Sequence, residues 1–231
     1  MRVLLKISGE ALSGIEHSGL DFQILDDVGE MIKELVRHNI EVGIVVGAGN
    51  FIRGAEIEKL NIDRCNADNM GMLATNINVI ALSDVLIKKE VSTKIVNSFS
   101  IEGVIERFNK TKVVKDLSKG KVVIFGGGTG NPYFTTDTAG VLRALEIEAN
   151  LMIKATKVDG VYDKDPMKFH DAELLKELTY DEVLENNLGV MDYTAISLSK
   201  SNRLKLMVCN LAEPGAILNC ILTGKGGTTI N

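Results

Sequence analysis

Residues 121–156 read KVVIFGGGTGNPYFTTDTAGVLRALEIEANLMIKAT, and their order decides the fold. KVVIFG (121–126) and NLMIKAT (150–156) are short, β-branched and apolar on both faces, as parallel strands covered by helices are. Between them a helical pattern runs from Asp137 to about Ala149. Strand, glycine loop, helix and strand make a βαβ unit, the building block of a parallel sheet. The loop holds four glycines in five residues, more than a turn requires. Glycines tolerate positive φ and let backbone N–H groups approach an anion closely. Threonine and aspartate just ahead of the helix would cap it, and its N-terminus adds a field worth about 0.3–1 kcal/mol per charge. A polyphosphate also needs cations, for which Lys6 and Arg53 are the candidates.

The same alternation extends outward. RVLLKI (2–7), EVGIVVGA (41–48), TKIVNS (93–98) and KLMVCN (205–210) read as further strands. Helical patterns cover 21–39, with Asp21 as a cap, about 68–88, and about 193–204. The expectation is an α/β fold, a doubly wound sheet between helix layers, in one domain over 1–231. A structural boundary between lobes is placed near 157–171. The 68–88 pattern is apolar around most of its circumference, so it is either a central buried helix or a helix covered by another subunit.

Composition excludes several classes. Net charge is −5 and the longest basic run is Lys88–Lys89, so no nucleic-acid partner is expected. No run of consecutive apolar residues approaches a membrane span, and no leader pattern follows Met1; a cytoplasmic protein without a membrane partner is expected. Cys65, Cys209 and Cys220 lack a CxxC pair and read as reduced, buried thiols. His17, His38 and His170 are scattered, leaving no catalytic triad. GxxxxGK[ST] is absent, and GxGxxG fails twice, with Asn131 and Ile52 at the third glycine.

In an open parallel sheet, ligands collect beyond the carboxyl ends of the strands. Those positions are residues 6–10, then 47–50 with Arg53, the glycine loop, and 157–166. Each has a plainer role: Lys6 as a strand-end lysine, Arg53 as a partner of Glu56, Asp68 and Asp137 as helix caps, Asp159-Gly160 and Asp165-Pro166 as turns.

LLKISGEAL, VVGAGNFIRG, ADNMGMLAT, GGGTGNPYFTTDT, IKATKVDGVYDKDP, LTYDEVL, VMDYTAISL and the closing GTTI stand in an order and spacing that resembles the bacterial uridylate kinases (UMP kinases), of the amino acid kinase fold family. The resemblance implies a three-layer αβα sandwich with a mainly parallel central sheet, assembled as a homohexamer. It also implies transfer of the γ-phosphoryl of ATP to UMP with Mg²⁺, giving ADP and UDP for pyrimidine nucleotide synthesis. On it, Lys6, Ile7, Ser8 and Gly9 hold ATP phosphates, Gly49 and Arg53 add ATP contacts, and Thr156, Tyr162 and Asp165 form the ATP base and ribose site. Ala48 and Asp68 contact UMP, as does the loop Thr129, Gly130, Asn131, Pro132, Tyr133, Phe134, Thr135 and Thr136. Lys6, Asp137 and Asp192 carry catalysis. Gly14, Ile15, Glu16, His17, Ser18 and Gly19 align with a segment linked to GTP activation; GTP as activator and UTP as inhibitor are the regulators implied. Ala48 replaces the family's usual glycine, which a positive φ would make costly. Two rivals remain: a kinase of the same fold acting on a carboxylate or carbamate, and a non-catalytic nucleotide-binding protein.

Overall fold

Strand β1, Arg2–Ile7, lies at the middle of the molecule and alternates between two cores. Val3, Leu5 and Ile7 face one helix layer; Leu4 and Lys6 face the other. The computed structural model describes residues 1–14, 18–52, 61–164, 166 and 168–231. Among them β2 (Glu41–Val46), β3 (Thr93–Asn97), β4 (Glu106–Arg107), β5 (Val122–Gly126), β6 (Leu151–Thr156), β9 (Glu177–Leu178), β10 (Leu206–Asn210) and β11 (Gly227–Ile230) join β1 in one sheet. The order is β4-β3-β5-β2-β1-β6-β10-β11-β9, parallel except where β11 runs against β10. Two short strands, β7 (Val161–Tyr162) and β8 (Leu174–Leu175), pair separately within the 157–171 region and its continuation.

Helices α1 (Phe22–Arg37), α2 (Arg64–Lys88) and α7 (Ala216–Thr223) cover one face. Helices α3 (Lys110–Leu117), α4 (Thr136–Glu146), α5 (Tyr180–Glu185) and α6 (Tyr193–Asn202) cover the other. The expected three-layer αβα sandwich is what the structure has. Asp21 caps α1 as expected, its carboxylate accepting from the Gln23 and Ile24 N–H groups. Thr135, not Asp137, caps α4, accepting from the Asp137 and Thr138 N–H groups, because the Asp137 carboxylate is turned onto Lys6 and Lys154.

Two further expectations need correction. Helix α2 starts at Arg64 and is capped by Asp63, not by Asp68, because the polar turn Arg64–Ala67 carries no apolar rhythm to announce it. Cys209 on β10 and Cys220 on α7 are not separate thiols: both are fully buried and paired sulfur to sulfur, while Cys65 stays free.

Helix α2 also has the length and mean hydropathy (1.6) of a membrane span, which counting consecutive apolar residues did not reveal. Half of that window is buried inside the molecule, as in a core helix. Its other side carries exposed Met70, Leu73, Ile77, Ile80 and Ile87. One side of this helix is thus core and the other is bare.

Candidate active site

The carboxyl ends of β1, β2, β5 and β6 meet at the centre of the sheet, where the chain switches from one side to the other. The loops there touch. A Cβ on Gly9 would lie 2.6 Å from Gly49 N and 2.7 Å from Gly47 O, so the loops after β1 and β2 approach backbone to backbone. Ala48 is absent from the residues with positive φ, so its methyl carries no strain and the departure from glycine is tolerated. Ala48 O accepts from Phe51 and Ile52 N–H, closing the turn.

Lys6 and Lys154 are register partners on adjacent parallel strands and face the α4 layer together. Helix α4 lies close over them: a Cβ on Gly140 would stand 3.5 Å from Lys6 Cβ and 2.6 Å from the Met152 methyl. This brings Asp137, in the first turn of α4, between the two lysines. Lys6 Nζ stands 2.8 Å from Asp137 Oδ1 and Lys154 Nζ 2.8 Å from Oδ2. Only the second contact is an aligned hydrogen bond; the buried Oδ1 accepts none. Lys154 also donates to the Val190 carbonyl. Burial pushes the Asp137 carboxyl up, but the fields of Lys6 and Lys154 and the Lys154 hydrogen bond outweigh it, and the pKa ends below the ordinary value. Two ammonium groups sharing one carboxylate leave an excess positive charge at the floor of the crevice, poised for an anion. Sequence reading missed Lys154. Its signal was a lysine inside an otherwise apolar strand.

Asp192 caps α6 through Ala195 N–H and accepts from Thr135 Oγ1 and from Thr138 Oγ1 at 2.8 Å. It ties the N-terminus of α4 to that of α6.

A groove of about 600 Å³ opens beside this centre, lined among others by Ala48, Gly49, Asp68, Phe134, Thr135 and Thr136. Asp68 accepts from Tyr133 N–H at 2.7 Å and pairs with Arg64 at 2.9 Å, so α2 holds the loop 129–134 at its far end. Tyr133 takes φ +70° there. Thr129 Oγ1 accepts from Asn131 N–H, and Gly130 takes φ +83°, which keeps the loop tightly folded. Thr129, Gly130, Asn131, Pro132 and Tyr133 do not line the groove themselves.

On the α1 side a wider groove, about 1040 Å³, is lined by Thr156, Lys157, Ile24, Met31, Leu211 and Pro214, among others. Thr156 Oγ1 folds back on Val158, and Tyr162 Oη reaches Asp159 at 3.4 Å. Ile7 is buried and Ser8 half-buried at the mouth of β1. Gly14 and Gly19 both have positive φ, and Gly19 N–H donates to Asn50 O, tying this stretch to the loop after β2. Arg53, Asp165, Ile15, Glu16 and His17 lie outside the described residues.

A doubly wound sheet whose carboxyl edge carries glycine loops around a Lys-Asp-Lys centre defines an anion-handling domain of the kinase type. The chain belongs to the amino acid kinase family, whose model matches residues 1–210. It is 47% identical over 230 residues to a uridylate kinase of Haemophilus ducreyi, covering 100% of this chain and 97% of that one. It is 48% identical to one of Stutzerimonas stutzeri, covering 99% and 93%. Its fold is similar to the crystal structure of a UMP kinase from Bacillus anthracis, with TM-score 0.95, 37% identity, and 100% and 95% of the two chains covered.

Proposed function

We propose that the chain is a uridylate kinase, transferring the γ-phosphoryl of ATP to UMP and yielding ADP and UDP. The observation that carries this is the Lys6–Asp137–Lys154 centre lying beside the groove of the UMP-type loop, in a chain matched end to end by uridylate kinases. Phosphoryl transfer is served mainly by alignment and charge neutralisation. The UMP phosphate oxygen is already an anion near neutral pH and attacks without a general base. Lys6 and Lys154 offset the charge spreading over the transferring group. Asp137 keeps both ammonium groups aimed inward until phosphate oxygens compete for them.

On this reading Ala48, Asp68 and residues 129–136 hold UMP. Lys6, Ile7, Ser8, Gly9, Gly49 and Arg53 hold the ATP phosphates, and Thr156, Tyr162 and Asp165 the ATP base and ribose. Asp192 acts by fixing the start of α4. Mg²⁺ arrives on the ATP phosphates as part of the substrate. The whole chain works as one domain in the cytoplasm, as a homohexamer, with GTP as activator acting near residues 14–19 and UTP as inhibitor. The exposed stripe at 70, 73, 77, 80 and 87 has the three-and-four spacing of a helix–helix seam, which supports self-association through α2.

ADP release measured with UMP, CMP and carboxylate acceptors tests the reaction. Turnover with UMP is expected. ATP binding without turnover on any monophosphate would favour a non-catalytic protein, and preference for a carboxylate would favour the other kinase. Lys6→Ala should lower kcat by orders of magnitude with the fold intact; activity within about threefold of the parent refutes the role.

A further inference from the structure

Arg143 carries a buried charge that the reaction does not use. It lies in α4 beyond Asp137 and is 5% exposed, with its guanidinium 4.6 Å over the Phe108 ring and paired to Glu146. A cation in that position is costly to bury unless its N–H groups are all employed. The remaining terminal nitrogen donates to Ser98 Oγ at 2.9 Å, and Ser98 Oγ donates to the Gly128 carbonyl at 2.7 Å. A hydroxyl has one proton to give, so the relay has one direction: guanidinium to hydroxyl to carbonyl.

The receiving end is the glycine loop between β5 and α4. Gly127, Gly128 and Gly130 have φ of +71°, +55° and +83°. Glycines in such conformations have many alternatives and hold one only when anchored. Thr75 Oγ1 anchors the Gly127 N–H at 2.8 Å; the Ser98 hydroxyl anchors the Gly128 carbonyl. A trans peptide is planar, with its C=O and N–H opposed. Turning the Gly128 carbonyl onto Ser98 therefore turns the Thr129 N–H the other way. Gly128 lines the acceptor groove, and neither Ser98 nor Arg143 does.

We propose that Arg143 and Ser98 are positioning residues for the acceptor nucleotide: together they hold the Gly128 carbonyl away from the groove that Gly128 lines, so that the monophosphate is not met there by a repelling carbonyl oxygen. This rests on the reading of residues 129–136 as the acceptor loop. The relay touches neither substrate, so its mark is on acceptor affinity rather than on the chemical step.

The test is steady-state kinetics on the full-length enzyme with Ser98→Ala, Arg143→Met and the double variant, alongside thermal melts. Losing one oriented hydrogen bond should raise the KM for UMP about tenfold, with the KM for ATP and kcat each within about threefold. Because the two residues form one relay, the double variant should be no more than about twofold worse than the worse single. A UMP KM within about twofold of the parent in Ser98→Ala, or equal losses in both Michaelis constants and kcat, overturns the relay. If Arg143→Met does not fold, Ser98→Ala alone decides, since it removes a single oxygen. A parent enzyme that neither binds nor phosphorylates UMP overturns the acceptor reading itself, and the relay with it; normal parent turnover with an unmoved UMP KM overturns the relay alone.

Discussion

Replacing Asp137 with asparagine keeps the shape of the catalytic floor and deletes the one charge that reconciles two lysines. The side chains of Lys6, Asp137 and Lys154 are 9%, 13% and 18% exposed, so water offers little screening. Removing one partner of a buried ion pair costs about 3–5 kcal/mol, because the charge left behind is uncompensated. Taking the lower end for a site open to a crevice, about 3 kcal/mol lowers Tm by about 6–12 °C in a chain of this size. The pH dependence carries a sign. Asp137 has a folded pKa below the ordinary 3.8, so its contribution is complete above that value and is lost as pH falls through the lower, folded pKa. The gap in Tm between parent and Asp137→Asn should therefore be full at neutral pH and close in strong acid. Adding Lys154→Met to Asp137→Asn removes one of the two repelling ammonium groups, so part of the lost Tm should return while turnover does not. Calorimetry from pH 8 down into strong acid, with UMP assays at neutral pH, reads all of this. An Asp137→Asn enzyme melting within about 2 °C of the parent at pH 7, or a double variant less stable than the single, would refute the shared-carboxylate account.

Other consequences are simpler. Lys154→Met alone should cut kcat by about a hundredfold or more, since it removes one of the two cations facing the transferring phosphoryl; unchanged kcat would reduce it to a structural lysine. Ile77→Asp, at the middle of the bare face of α2, should shift the protein to smaller species in light scattering while far-UV circular dichroism is kept. Tyr180 donates to the buried Leu204 carbonyl and its phenol is pushed up to about 12 by burial, so it stays protonated throughout the working range. Tyr180→Phe leaves that carbonyl unpaired and should cost about 1–3 kcal/mol of stability with no change in the UMP KM.

Much of the architecture was legible because the strands are strongly apolar and well separated. RVLLKI emerges with the bounds read for it, Arg2–Ile7. EVGIVVGA stops two residues early at Val46, because Gly47 N–H caps β1 by donating to Ile7 O and the chain turns there. What escaped notice lacks periodicity. Strands β7, β8 and β9 are two residues each, too short to show alternation. Helix α7 is bounded by glycines with φ of +76° and +68° and has no side-chain cap. Helix α5 did carry a signal, the capping box of Thr179 and Glu182.

The site divides along the same line. Lys6 and Asp137 were found because each lies next to a loop at the boundary of an element, where a charged residue interrupts an apolar or glycine-rich pattern. Lys154 escaped because it lies within a strand, and its meaning comes from register: Lys6 and Lys154 are partners only once β1 and β6 are neighbours. Arg143 and Ser98 are harder still, since they are 45 residues apart and share a purpose only through the carbonyl of Gly128. The glycine loop shows the limit most clearly. Its composition says that something anionic comes near, but a run of glycines cannot say which way each peptide faces. That information is stored beneath the loop, in Thr75, Ser98 and Arg143, whose polar atoms choose one conformation from the many that glycine allows. Freedom in the loop and rigidity under it are thus two parts of one device, and substitutions below the groove should act on the acceptor as surely as those within it.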